Sequence, residues 1–162
     1  MQLPKKPIVA ILMGSVSDGE QMRDVKTTLK EFGINSQMKV LSAHRTPDET
    51  AEFVMQAPAH GIEIIIAGAG GAAHLAGVVA AKTTLPVIGL PLQSKALRGL
   101  DSLLSTVQMP SGVPVATVGI DASRNAALLA VRILSLKYPA LKSKLLEFSR
   151  NMRYKILESK VL

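Results

Sequence analysis

Short apolar runs rich in valine and isoleucine alternate along this chain with longer segments of helical periodicity. That alternation predicts an α/β protein in three αβα layers, a parallel sheet with helices on both faces. Two further observations support it. Clusters of Gly, Ser, Asp or Pro separate the runs from the helical stretches, as crossover connections require. The chain has 162 residues, 48% of them apolar, enough for one domain with a substantial core.

Residues 7–13 (PIVAILM) read as the first buried strand and 14–18 (GSVSD) as the loop that leaves it. Residues 19–32 read as a helix, with Met22, Val25, Leu29 and Phe32 on one face and Gly33 as its stop. The second strand spans 34–41. After it, Thr46 is a candidate N-cap and Pro47 the first position of a helix over 47–60, with acids in its first turn. Residues 62–67 (IEIIIA) are the third strand, 68–73 a glycine-rich loop and 74–83 a helix. The fourth strand is 85–90. An irregular stretch, 91–112, follows with a short helix expected over 96–104, then a fifth strand over 113–118. A helix over 123–136, with Ser123 or Asn125 near its start, precedes Pro139 and a last helix from about Ala140 into the tail. The stripe Leu141, Leu145, Phe148, Met152 and Ile156 on that helix must be covered by something, and a neighbouring subunit is the expected partner. Residues 137–162 thus form a basic helical extension of a single domain, 1–162.

Five strands of this length suit the flavodoxin-like order 2-1-3-4-5. In that order strands 2, 1 and 3 are neighbours. The loops at their carboxyl ends, 14–18, 42–46 and 68–74, meet around the point where the sheet's winding direction switches, which is where such sheets bind ligands.

Composition narrows the function classes. Aromatics are 3% and Trp is absent, so Ala, Val, Ile and Leu must build the core. A mean hydropathy of +0.28 in so small a chain suggests apolar surface buried between copies, hence a homo-oligomer. The absence of Cys excludes disulfides, thiolate nucleophiles and Cys-ligated zinc. Residues 1–7 lack the apolar segment of a signal peptide, and the uncharged run 64–81 reads as strand, loop and helix rather than a membrane span. A cytoplasmic protein without a membrane partner is expected. Of the net charge of +7, residues 137–162 hold seven bases against two acids. With only Phe148 and Tyr154 as aromatics beside them, these charges read as a solvated helix face, not a nucleic-acid site.

Three loops carry the chemistry. GSVSD offers Ser15 and Ser17 for phosphate and Asp18 for sugar hydroxyls; alternatively Ser17 or Asp18 simply caps the helix. Arg45 supplies a planar donor fork for phosphate. GAGGAA, 68–73, matches a dinucleotide fingerprint, but no acid occurs between Glu63 and Asp101 to hold a ribose. Its glycines instead let backbone amides approach a small anion. Of three histidines, His60 reads as a helix C-terminal cap. His44 and His74 each lie just past a strand end, either as structural caps or as chemical groups. No Walker loop, Gly-x-Ser-x-Gly elbow or His-Glu-x-x-His pattern is present, so neither metal nor cofactor is implied.

The segments MGSVSD (13–18), SAHRTPD (42–48), AGAGGAAHL (67–75), GLPLQSKAL (89–97), GLDSLLSTVQMPSGVPVATV (99–118) and NAALLA (125–130) together resemble the PurE family of purine biosynthesis, in the family's order. The resemblance implies a flavodoxin-like fold and an octamer with sites shared between subunits. It also implies a small-molecule reaction without cofactor. SAHRTP is similar to the class I, bacterial-type branch, which isomerises N5-carboxyaminoimidazole ribonucleotide to 4-carboxyaminoimidazole ribonucleotide. The other branch carboxylates aminoimidazole ribonucleotide directly with CO2 and typically has Lys and Gly where Arg45 and Thr46 stand. Carried over by motif, Ser15, Asp18 and Arg45 bind the ribonucleotide and His44 is the general acid/base. His74 lines the pocket for the migrating carboxyl group with Gly70 and Gly71. Ser17, Ser42, Ala43 and Leu75 complete the contact set. Gly19 and Ala76 depart from the Trp and Pro of many bacterial members. Direct carboxylation and a non-catalytic mononucleotide-binding module are the alternative readings.

Overall fold

A computed structural model describes residues 2–159. Lys160, which the sequence counts with the basic tail, and the end of the extension at 162 lie outside the described residues.

The strands β1 (Val9–Met13), β2 (Ser36–Val40), β3 (Ile64–Gly70), β4 (Val87–Leu92) and β5 (Ala116–Thr117) form one sheet in the order β2-β1-β3-β4-β5. Every pairing is parallel. This is the expected flavodoxin-like order. The helices are α1 (Gly19–Glu31), α2 (Pro47–Gln56), α3 (Leu75–Ala80), α4 (Leu100–Val107), α5 (Ser123–Leu134) and α6 (Pro139–Glu158).

Successive side chains on a strand point to opposite faces, and here both faces are buried. From β1 and β3, Val9, Ile11, Met13, Ile64 and Ile66 join a cluster with Met22, Val25 and Leu29 of α1 and Ala126, Ala130 and Val131 of α5. The intervening Ala10, Leu12, Ile65 and Ala67 pack with Val54 of α2 and Leu75, Ala76 and Val79 of α3. Continuous apolar strands are what a doubly covered parallel sheet demands.

Several elements differ from the sequence expectation. β3 continues three residues into the glycine-rich segment, because Ala69 and Gly70 still pair with Pro91 and Leu92; the same pairing lengthens β4. β5 is only two residues long, at a sheet edge where one neighbour provides its hydrogen bonds. α2 ends at Gln56, and α4 starts at Leu100 rather than near Ala96. α4 sits close against β4 because Gly89 has no side chain. A methyl there would overlap the Thr106 methyl and crowd Val115 at 2.9 Å.

The stripe on α6 divides. Leu141 is fully buried, and Leu145 and Phe148 pack on this chain's own core, Phe148 at 5.9 Å from the Phe32 ring. Only Met152 and Ile156 stay exposed. The first half of the helix therefore covers its own domain rather than a neighbour. Lys144 Nζ donates to the Phe32 carbonyl at the end of α1 (2.9 Å), a cation at a helix C-terminus. No described helix is long and apolar enough to cross a membrane.

Candidate active site

The carboxyl ends of β1 to β4 surround a cleft of about 420 Å³. The β1 exit contributes Gly14, Ser15, Ser17 and Asp18, and the β2 exit Ser42, Ala43, His44 and Arg45. The end of β3 contributes Ala69 to Ala72, with Leu75 beyond it. Gln93 and Ser94, past β4, close the remaining side. Loops distant in sequence meet here because β2, β1, β3 and β4 are successive parallel neighbours in the sheet.

The Ser42–Thr46 turn is held from below. The Ser42 carbonyl accepts from the Thr46 amide (2.9 Å) and from the hydroxyls of Thr46 (3.1 Å) and buried Thr50 (3.4 Å). Thr46 Oγ1 in turn accepts from the Ser42 amide at 2.9 Å. Thr46 occupies the N-cap position of α2 as expected, but its side chain ties the turn together instead of capping the helix. His44 and Arg45 are thereby displayed outward on a rigid base. Arg45 Nη2 donates to the Gly14 carbonyl (2.6 Å) and Nε to Ser42 Oγ (3.3 Å), so the guanidinium bridges two loops. Its remaining donors are free for an anion.

In the first loop the cap is Ser15, not Ser17 or Asp18 alone. Ser15 Oγ accepts from the Ser17 amide (3.3 Å), while Asp18 Oδ2 accepts from the Ser15 amide (3.0 Å), a reciprocal capping box on the turn Val16–Asp18. Burial pushes the Asp18 carboxyl above its ordinary value, against the opposing pull of the Ser15 amide, the Ser17 hydroxyl and the Arg45 charge.

The glycine segment differs from expectation in a useful way. Gly71 takes φ +65°, a turn geometry that favours glycine. Its amide donates to Ser102 Oγ (2.8 Å) and the Ala73 amide to Ser105 Oγ (3.1 Å). Ser105 also donates to the Gly71 carbonyl (3.3 Å). Two of the amides read from the sequence as anion donors are thus turned onto α4, because buried amides need partners and α4 presents hydroxyls. Ser94, on the cleft wall, donates to Asp101 Oδ1 (2.6 Å), which also accepts from the Ser102 amide (3.0 Å). That hydroxyl is the first cause holding the Asp101 carboxyl below its ordinary value.

Of the residues singled out in the sequence, Ser15, Ser17, Asp18, Ser42, Ala43, His44, Arg45, Gly70, Gly71 and Leu75 all line the cleft. His74 does not; it stands behind His44, its Nδ1 3.0 Å from His44 Nε2. Gln93 and Ser94 were missed. The rule that selected the exits of β1, β2 and β3 applies equally to β4 and would have found them. His60 lies elsewhere, its Nδ1 3.0 Å from the Gln56 carbonyl at the end of α2, as a capping histidine should. Among the described residues no group of three or more His, Asp or Glu is placed to hold a metal ion.

The arrangement offers a fixed cation, hydroxyls, one carboxylate and one imidazole around a space of small-ligand size. The AIR carboxylase family model matches residues 8–155. The chain belongs to the AIR carboxylase family. It is similar to the N5-carboxyaminoimidazole ribonucleotide mutase of Pyrococcus horikoshii, 56% identical over 95% of this chain and 87% of that one. It is also similar to the phosphoribosylaminoimidazole carboxylase of Schizosaccharomyces pombe, 50% identical over 95% of this chain but only 28% of that longer protein. Among solved structures it matches PurE of Treponema denticola with a TM-score of 0.87 and 32% identity, covering 94% of this chain and 95% of that one. The shared family fold is therefore the five-stranded parallel sheet described above.

Proposed function

We propose that this chain is a class I N5-carboxyaminoimidazole ribonucleotide mutase, moving a carboxyl group from an exocyclic nitrogen to a ring carbon. The observation that carries the reading is the convergence of His44, Arg45, Ser15 and Asp18 on one cleft, in a chain over half identical to a relative that bears this name. Arg45 and the serine hydroxyls hold the phosphate and Asp18 accepts from ribose hydroxyls. Protonated His44 gives its proton to the nitrogen as the carbamate C–N bond breaks and CO2 leaves. The electron-rich ring carbon then attacks CO2, and neutral His44 removes the ring proton to restore aromaticity. Imidazole suits both steps because its charge change lies close to neutral pH. Leu75 and the small residues 69–72 form the wall against which CO2 is retained, which keeps the second step effectively intramolecular.

Arg45-Thr46 favours the isomerase over the direct carboxylase. Supplying N5-carboxyaminoimidazole ribonucleotide, or aminoimidazole ribonucleotide with CO2, and following product absorbance separates the two. Turnover of the first substrate alone is expected, and turnover of only the second overturns the assignment. Nucleotide binding without turnover of either would identify a binding module. In the same assay His44→Asn abolishes turnover while ribonucleotide binding persists, and Arg45→Ala acts mainly on KM.

The reading includes one domain, 1–162, in a cytoplasmic homo-octamer with sites shared between subunits and the end of the 137–162 extension on a neighbour. Exposed Leu97, Leu100, Leu104 and Val107 on one side of the cleft, and Met152 and Ile156 on α6, support association. Light scattering on the purified chain measures it, and a monomer at micromolar concentration would remove this part.

A further inference from the structure

The two imidazoles at the cleft are not equivalent. His44 Nε2 lies 3.0 Å from His74 Nδ1, the rings stand edge to face at 89° with centroids 5.0 Å apart, and only His44 lines the cleft. A contact of that length between two ring nitrogens needs one proton between them, so one nitrogen donates and the other accepts. If both rings were protonated, two N–H groups would face each other. His44 Nε2 is therefore committed to His74, and Nδ1 is the only His44 nitrogen left for a ligand.

We propose that His74 is a positioning residue: its Nδ1 accepts from His44 Nε2–H and keeps that proton in place throughout the reaction, which confines acid and base work to His44 Nδ1. The inference rests on His44 being the acid/base group of the proposed reaction. In the cationic state both His44 nitrogens carry protons; Nε2–H is held by His74 and Nδ1–H is given to the substrate nitrogen. The neutral ring that remains keeps Nε2–H, and its Nδ1 lone pair takes the ring-carbon proton. One atom thus gives and then receives, with no ring flip between, and proton and charge balance over the cycle. With the opposite tautomer, Nδ1–H on neutral His44, the ring would have no lone pair facing the ligand for the second transfer. A third group that orients a base through its far nitrogen is a general device of acid–base sites. Both rings start from defined backbone positions: His74 is the N-cap residue of α3, and His44 sits on the hydrogen-bonded Ser42–Thr46 turn.

The test uses the intact chain without substrate. It has three histidines, so long-range 1H–15N spectra resolve every ring. Neutral His44 is expected as the Nε2–H tautomer, with His74 also Nε2–H. His74→Phe keeps an aromatic ring but removes the acceptor. His44 should lose its tautomer bias, and kcat should fall about tenfold or more with KM within about twofold, part of the roughly 10²–10⁴-fold that acid–base catalysis contributes. His74→Asn, whose Oδ1 can accept from Nε2–H, should restore both. An unchanged His44 tautomer in His74→Phe, or an Asn variant as impaired as Phe, overturns the proposal. A wild-type chain that turns over neither substrate would overturn the function instead, while the spectra still report on the pair.

Discussion

Helices α4 and α5 flank the same edge of the sheet and bury opposite kinds of residue. α5 buries Ala126, Ala127, Ala130, Val131 and Leu134 and turns Arg124, Asn125 and Arg132 to solvent, as a surface helix does. α4 buries Ser102 and Thr106 and exposes Leu100, Leu104 and Val107. The inversion has a physical reason on each face. The buried hydroxyls answer amides and carbonyls of the glycine segment, which would otherwise lack partners. The exposed leucines are left for whatever packs on that side. α5 serves the stability of the domain, whereas α4 serves the site and, in the proposed assembly, the interface.

The largest expected effect tests the α5 half. Leu134 is 3% exposed within the main core. Leu134→Ala should cost about 2–5 kcal/mol in urea unfolding, with KM of any surviving native enzyme unchanged. A loss of less than about 1 kcal/mol would mean that α5 is not the anchor described.

Ser102→Ala comes next and probes the buried face of α4. It strands the part-buried Gly71 amide, at about 1 kcal/mol, the low end of the cost of an unpaired donor. Because Gly71 lines the cleft, activity should fall further than unfolding at the assay temperature explains. Equal activity per folded molecule would reduce the hydroxyls to ordinary packing.

The exposed face of α4 should behave in the opposite sense. Leu100→Glu with Leu104→Glu changes residues that are 50% and 48% exposed, so the isolated chain should shift by about 0.5 kcal/mol or less. Sedimentation should nevertheless show a smaller species than the parent. Identical profiles would mean that nothing covers these leucines.

The smallest effect separates the helices by pH. Asp101, in the first turn of α4, is held below its ordinary 3.8 first by the Ser94 hydroxyl. A depressed carboxylate contributes stability that is present above 3.8 and lost as pH falls through the lower folded value. Asp101→Asn should therefore narrow its gap to the parent as the pH of urea unfolding drops from about 5 to about 3. α5 contains no acid of its own. A constant gap would remove Asp101 from the account.

The same contrast explains which features were legible in the sequence. α5 reads correctly because its apolar spacing follows the helical period and marks the face toward the core. α4 was placed too early because its inward face is polar; Ser102 and Thr106 look like solvent positions until the glycine segment is beside them. β3 was cut short at Ala67 because Gly-Ala-Gly has the composition of a loop. Its continuation depends on pairing with Pro91 and Leu92, and one strand's sequence carries no record of its partner.

Periodicity determined the alternation of strands and helices, because burial on one face or two leaves a repeat of fixed length in the chain, and the order of the sheet followed from the topology that five such alternating strands suit. With the sheet order came the convergence of Ser15, Asp18, His44 and Arg45 at one end. Only the tertiary structure decided that Arg45 reaches the Gly14 carbonyl, that the glycine amides turn onto α4, and that His74 meets His44 ring to ring rather than lining the cleft. Hydrogen bonds between side chains and loops far apart in sequence depend on direction within a few tenths of an ångström, and residue spacing does not encode direction.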